Sequence, residues 1–144
     1  MYKKIVVPLD GSPAAECVLA HVENLAGAGS EVILVRVVAK PALDYTLTEP
    51  QLAACLDDEF AQEASQYLAG VARTVKSAGV TVSTCVLAEQ GPIAELLQEF
   101  AHKVKADLIA ISAHGKTGLI GRLLGSTADR IVHHGKIPVL MVHP

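Results

Sequence analysis

Residues 112–127 read Ser-Ala-His-Gly-Lys-Thr-Gly-Leu-Ile-Gly-Arg-Leu-Leu-Gly-Ser-Thr, and three features of this stretch suit an anion such as phosphate. Its glycines let backbone N–H groups approach a ligand closely. The N–H groups at Ser126 and Thr127 open a helix, where the backbone dipole favours negative charge. Lys116 and Arg122 add positive charge. The plainer reading is a glycine loop carrying solvated basic residues. Gly115-Lys116-Thr117 has the ending of a P-loop, but the first glycine of that signature would fall at position 110, which is Ala110. A P-loop lysine also leads directly into a helix, whereas Gly118 follows here, so this motif is set aside.

A second polar cluster is Asp10-Gly11-Ser12. Asp-Gly is a common turn pair, and Ser12 followed by Pro13 has the form of a helix cap with proline at the first helical position. Capping accounts for Ser12 and Asp10 better than nucleophilic catalysis does, and no Ser/His/Asp triad can be assigned. His133 and His134 are neighbours on a short helix and point about 100° apart, unlike metal ligands at i and i+4. Asp57, Asp58 and Glu59 form a solvated helix face. Cys17, Cys55 and Cys85 read as small inert residues with no Cys-x-x-Cys pair.

These segments must be positioned by regular elements. The β-branched runs Ile5-Val6-Val7-Pro8-Leu9 and 32–38 are short and apolar, as buried strands are. Between them Ala15, Val18, Leu19, Val22, Leu25 and Ala26 mark one helix face, ending at Gly27 and Gly29. Leu52, Leu56, Phe60, Ala64, Tyr67, Val71 and Val75 recur at steps of three and four along a long helix closed by Gly79. Residues 80–88 alternate in part, as a strand near an edge does. Gly91-Pro92 opens a helix with Ile93, Leu96, Leu97, Phe100, Ala101 and Val104 on its apolar face, and 107–111 form a fourth strand. Ser126 with Asp129 resembles a capping box for a short helix that stops at Gly135, before a last strand 137–142. Strand and helix alternate throughout, which predicts an α/β fold: one domain over 1–144, a doubly wound parallel sheet of five strands between two helix layers. Ligands of such sheets bind at the carboxyl ends of strands where the winding reverses, so the turns after strands one, two and four are the candidate site.

Composition narrows the function classes. A chain of 144 residues with 51% hydrophobic residues can bury a sufficient core without disulfides or structural metal. Its net charge of −3 and 3% aromatic content lack the basic footprint and stacking platforms of nucleic-acid binders. Free cysteines, with no leader and no apolar run of about 18 residues, predict a cytoplasmic protein that does not bind membranes.

Pro8-Leu9-Asp10-Gly11-Ser12, His114-Gly115-Lys116-Thr117-Gly118 and Leu124-Gly125-Ser126 together resemble the universal stress protein (UspA-like) family, and the likeness extends from Tyr2-Lys3-Lys4-Ile5 to the closing run 136–142. The resemblance implies strand order 3-2-1-4-5 in an adenine nucleotide alpha hydrolase-like fold, a homodimer formed through the last strand, and a role in stress responses. ATP-binding members resemble G-x2-G-x9-G-[ST]. Gly115, Gly125 and Ser126 match its last three elements, while Ser112 stands at the first glycine. By position, Asp10 would accept hydrogen bonds from ribose or lie near a nucleotide-bound magnesium, Val37 would offer backbone to adenine, and Pro8 and Leu9 would wall the base. Ser112, His114, Gly115, Lys116, Gly125, Ser126 and Thr127 would surround the phosphates, with His114 orienting the loop.

The expectation is therefore an ATP-binding regulatory protein acting on a protein partner, rather than a dedicated enzyme. Two alternatives stand beside it. One is an ATP-independent interaction module of the same fold, for which Ser112 is the support. The other is a slow ATP hydrolase, for which Asp10 and His114 are the sole candidate groups. A flavin protein is disfavoured, because the turn after strand one lacks flanking aromatic residues.

Overall fold

The structure is a computed structural model that describes residues 2–38, 50–75, 78–88, 91–113, 129–133 and 135–144, with 50–60 described as backbone alone. Its elements run β1 (Tyr2–Pro8), α1 (Pro13–Glu16), α2 (Leu19–Leu25), β2 (Ala26–Val38), α3 (Pro50–Thr74), β3 (Thr81–Ala88), α4 (Ile93–Lys103), β4 (Leu108–Ser112) and β5 (Val139–Val142), with a further helical turn at 129–133. The five strands pair in parallel in the order β3-β2-β1-β4-β5, as expected.

Strand alternation divides the core into two layers. Ile5, Val7 and Leu9 of β1 and its exit, with Val32, Leu34, Leu108, Ala110 and Val142, meet Ala15, Val18 and Val22 of the α1–α2 segment and Leu68 and Val71 of α3. On the other face Val6, Ile33, Val35, Ile109 and Ile111 meet Ala94, Leu97 and Ala101 of α4 and Ile131 of the last helical turn. The central strands are buried on both sides, whereas β3 and β5 are partly exposed edges.

Two local expectations change. The helix foreseen from Ser12 to Gly27 breaks at Cys17 and Val18, and its glycine end joins the sheet: β2 begins at Ala26. Tyr2 is opposite Ala26 but Lys4 is opposite Glu31, so residues 27–30 bulge out of register. Ser30 holds the bulge, its Oγ accepting from Gly27 N–H at 2.9 Å and donating to the Tyr2 carbonyl at 2.7 Å. The second change is at β5, which is paired from Val139 rather than from 137.

Side chains fix the ends of the elements. Asp107 accepts from the N–H groups of Lys3 and Lys4 at 2.7 and 2.9 Å, and its own N–H returns to the Lys4 carbonyl at 2.9 Å, so one carboxylate aligns β1 with β4. Gln98 donates from Nε2 to the Ile131 carbonyl at 3.0 Å, and Gly135 lies so close to that amide that a Cβ would be 1.7 Å from Nε2. A side chain at 135 would therefore push the Gln98 amide aside and break its bond to the Ile131 carbonyl.

Candidate functional site

Winding reverses between β1 and β4. The helices after β1 pack on one face of the sheet and α4 and the 129–133 turn on the other. Adjacent strands β1 and β4 thus open a crevice at their carboxyl ends, the usual ligand position in sheets of this kind.

Asp10 stands on one side of this crevice, directly past β1. Its Oδ1 accepts from Ser12 N–H at 2.9 Å and from the Ser12 hydroxyl at 2.5 Å, while Ser12 Oγ accepts from Ala15 N–H at 3.1 Å. This relay caps α1 and fixes the Asp10 carboxylate, so the capping expectation for Ser12 is met. Gly11 sits at φ +90, where a side chain is strained. Pro8 and Leu9 are buried, and Leu9 belongs to the core beside Val7 and Leu34.

The β1–β2 ladder runs to Pro8 opposite Val35, with a last bond from Leu9 N–H to the Val35 carbonyl at 2.8 Å. Val37 therefore lies past the last β2 residue paired with β1, while its other side pairs with β3 opposite Leu87. Backbone at such a position is placed to hydrogen-bond a planar ligand edge.

Ser112 ends β4 and is fully buried. Its Oγ accepts from the Cys17 Sγ–H at 3.6 Å, where the helix after β1 breaks. The hydroxyl is therefore packed against the α1–α2 segment. His114, Gly115, Lys116, Gly125, Ser126 and Thr127 lie outside the described residues.

The motifs did not reveal a group beneath the Asp10 turn: Arg36, Tyr67 and Glu16. Arg36 is the single charged residue in the apolar run 32–38, and that interruption was its signal. Its guanidinium lies 5.1 Å from the Tyr67 ring centroid, within cation–π range. The Tyr67 hydroxyl is buried with no hydrogen-bond partner of good geometry among the described residues. Burial, then the facing Glu16 carboxylate and more weakly Asp10, hold this phenol well above its ordinary pKa, opposed by Arg36. Burial likewise pushes the Cys85 thiol up, in keeping with an inert residue. Among the described residues no cluster of three or more His, Cys, Asp or Glu could hold a metal ion.

The universal stress protein family profile matches residues 1–143. Universal stress protein MJ0531 of Methanocaldococcus jannaschii is 33% identical over 142 residues, 99% of this chain and 82% of that protein. Universal stress protein Rv2005c of Mycobacterium tuberculosis is 28% identical over 144 residues, which are 44% of its own length. The solved structure of MJ0577, also from M. jannaschii, superposes with a TM-score of 0.83 at 29% identity, covering 100% of this chain and 97% of that one. A universal stress protein solved in complex with cAMP shares the fold at 24% identity and a TM-score of 0.68, over 99% and 97% of the two chains. With the profile matched almost end to end and the expected strand order in place, the chain belongs to the universal stress protein family.

Proposed function

We propose that this chain binds an adenine nucleotide, ATP, in the crevice between the ends of β1 and β4, and that it is a cytoplasmic homodimeric regulator of the stress response rather than a dedicated enzyme. The observation that carries this reading is the placement of Asp10 and Ser112 at the carboxyl ends of two adjacent strands where the winding reverses. The related protein solved with cAMP supports adenine and ribose as the ligand class. Val37 backbone would meet the base, Pro8 and Leu9 would back it, and Asp10 would accept from ribose hydroxyls. Gly115, Lys116, Gly125, Ser126 and Thr127 would serve the phosphates, with Ser112 offering its backbone and His114 orienting the loop. Magnesium carried by the nucleotide would take one carboxylate from the described residues, Asp10, with phosphate oxygens supplying further ligands.

The ATP-independent alternative rested on Ser112 in the place of a glycine. Its side chain is buried against Cys17 rather than exposed, which supports the nucleotide reading over that alternative. Homodimerisation is supported by β5, a partly exposed edge strand whose paired neighbour is β4. A second copy pairing along that edge would cover it, and nucleotide occupancy would alter the surface offered to a protein partner.

Thermal unfolding with and without ATP and magnesium tests the binding. At a hundredfold excess over Kd, ligand stabilises by about 2.7 kcal/mol, a shift on the order of 5–10 °C for a domain of this size. Wild type is expected to shift and Gly115→Val to lose the shift. No shift in wild type, with one acquired by Ser112→Gly, would return the ATP-independent reading.

A further inference from the structure

Arg36 is held as the middle layer of a stack. A Cβ built on Gly11 would be 3.3 Å from Arg36 Nη1, 3.4 Å from Cζ and 3.5 Å from Nη2, so the guanidinium borders the space where a side chain at Gly11 would begin. The Tyr67 ring stands 5.1 Å from the same Cζ. Tyr67 comes from α3, Arg36 from β2 and Gly11 from the turn after β1, so three elements meet beside the residue that follows Asp10. The near-equal distances from that Cβ position to three guanidinium atoms describe a flat face turned towards Gly11, which arginine can present and lysine cannot. The Tyr67 hydroxyl is buried facing the Glu16 carboxylate, with no hydrogen-bond partner of good geometry among the described residues.

We propose that Arg36, stacked between Gly11 and the Tyr67 ring, is a positioning residue that sets the height and aim of the Asp10 carboxylate and thereby the selectivity of the crevice for ribose over 2′-deoxyribose. The inference rests on the nucleotide reading of the site and adds to it the residues that control sugar recognition. Arg36 itself does not touch the ligand. It acts through the turn: the guanidinium borders the side of Gly11 where a Cβ would point, and Ser12 anchors the other side of Asp10 through two hydrogen bonds. A carboxylate so fixed can accept from vicinal ribose hydroxyls, and loss of its aim removes one charge-assisted hydrogen bond, worth about tenfold in Kd.

Calorimetric titration of wild type, Arg36→Met, Arg36→Lys and Tyr67→Leu with ATP and with 2′-deoxy-ATP tests this. Wild type is expected to prefer ATP. Arg36→Met and Tyr67→Leu are each expected to weaken ATP about tenfold while changing 2′-deoxy-ATP less than threefold, with Arg36→Lys between them and wild type. Equal weakening of both nucleotides would make Arg36 a general structural residue and overturn the inference, as would unchanged affinities in Arg36→Met. Either result leaves the nucleotide site standing. A wild type that binds neither nucleotide overturns the site reading and the inference with it.

Discussion

The Cys17 thiol donates to the Ser112 hydroxyl across 3.6 Å, joining the break between α1 and α2 to the last residue of β4. The two residues are 95 positions apart, and the contact bridges the two lips of the crevice from below. It also gives the Ser112 side chain a place of its own within the core. We expect Ser112→Gly to lower stability by about 1 kcal/mol, through loss of a weak hydrogen bond and a more flexible strand residue. Cys17→Ala, which removes one partner and leaves a small void, should cost a similar amount. Neither is expected to change the Kd for ATP by more than threefold. Denaturant unfolding and ligand titration of both variants check this, and a tenfold gain of affinity in Ser112→Gly would show that serine obstructs the ligand.

A pH dependence follows from Tyr67. Its folded-state pKa is raised above the ordinary phenol value of about 10, chiefly by burial. The unfolded chain therefore releases this proton first. Its contribution to stability is complete below pH 10 and is lost as pH rises above 10 towards the folded value. The slope cannot exceed about 1.4 kcal/mol per pH unit, and screening of the facing charges at a partly exposed ring narrows the pH span over which it acts. Tyr67→Phe should flatten the alkaline limb of the stability profile. At neutral pH it should be neutral or mildly stabilising, since it removes a buried hydroxyl that has no hydrogen-bond partner of good geometry among the described residues. Urea unfolding at pH 8, 10 and 11 separates the outcomes, and parallel alkaline losses in wild type and variant would refute the account.

The sheet was legible in the sequence because central strands buried on both faces leave unbroken apolar runs, as at Ile5-Val6-Val7. The helix after β1 was read too long. Its apolar spacing continues to Ala26, yet the Ser30 hydroxyl draws Gly27 towards Tyr2 and turns the glycines into a strand bulge. No local periodicity records such a contact. The Asp10 turn and the Ser12 cap were legible from residue type, because both interactions span three residues or fewer. The Gly11–Arg36–Tyr67 stack was not, since it depends on three elements distant in sequence meeting at one place. The sole trace was a charge within an apolar run.

Asp107 is the joint most exposed to a single substitution. Its two carboxylate oxygens accept separately from Lys3 and Lys4 N–H groups, while the Lys4 ammonium reaches the Val104 carbonyl at 3.1 Å and Glu31 at 3.4 Å. Asp107→Ala leaves those two N–H groups to solvent and should cost about 1.5–3 kcal/mol, the range for hydrogen bonds to a charged group. Glu31→Gln removes an ion pair whose side chains are 33% and 36% exposed and should cost under about 1 kcal/mol. Chemical denaturation of both variants tests the ranking, and a larger loss in Glu31→Gln would reverse it.

The proposed dimer makes the most direct prediction about assembly. Val139, Leu140 and Met141 are each partly exposed on β5, whose pairing to β4 covers Ile109 to Ser112. Leu140 packs towards the α1–α3 layer and Met141 towards the α4 layer, so both faces of the strand already serve the monomer core. What remains for a second copy is the backbone edge, and pairing there demands N–H donors. Leu140→Pro is a harsh test, because it removes an N–H and strains the strand whether or not that group faces the partner. Met141→Lys is the gentler variant, since a charge near an edge opposes strand addition while its long stem still covers apolar surface. Sedimentation of wild type is expected to give a dimer and Met141→Lys a folded monomer that unfolds at a lower temperature. A monomeric wild type would refute pairing through β5 outright. A Met141→Lys protein that remains a dimer at low micromolar concentration would place the contact on another surface.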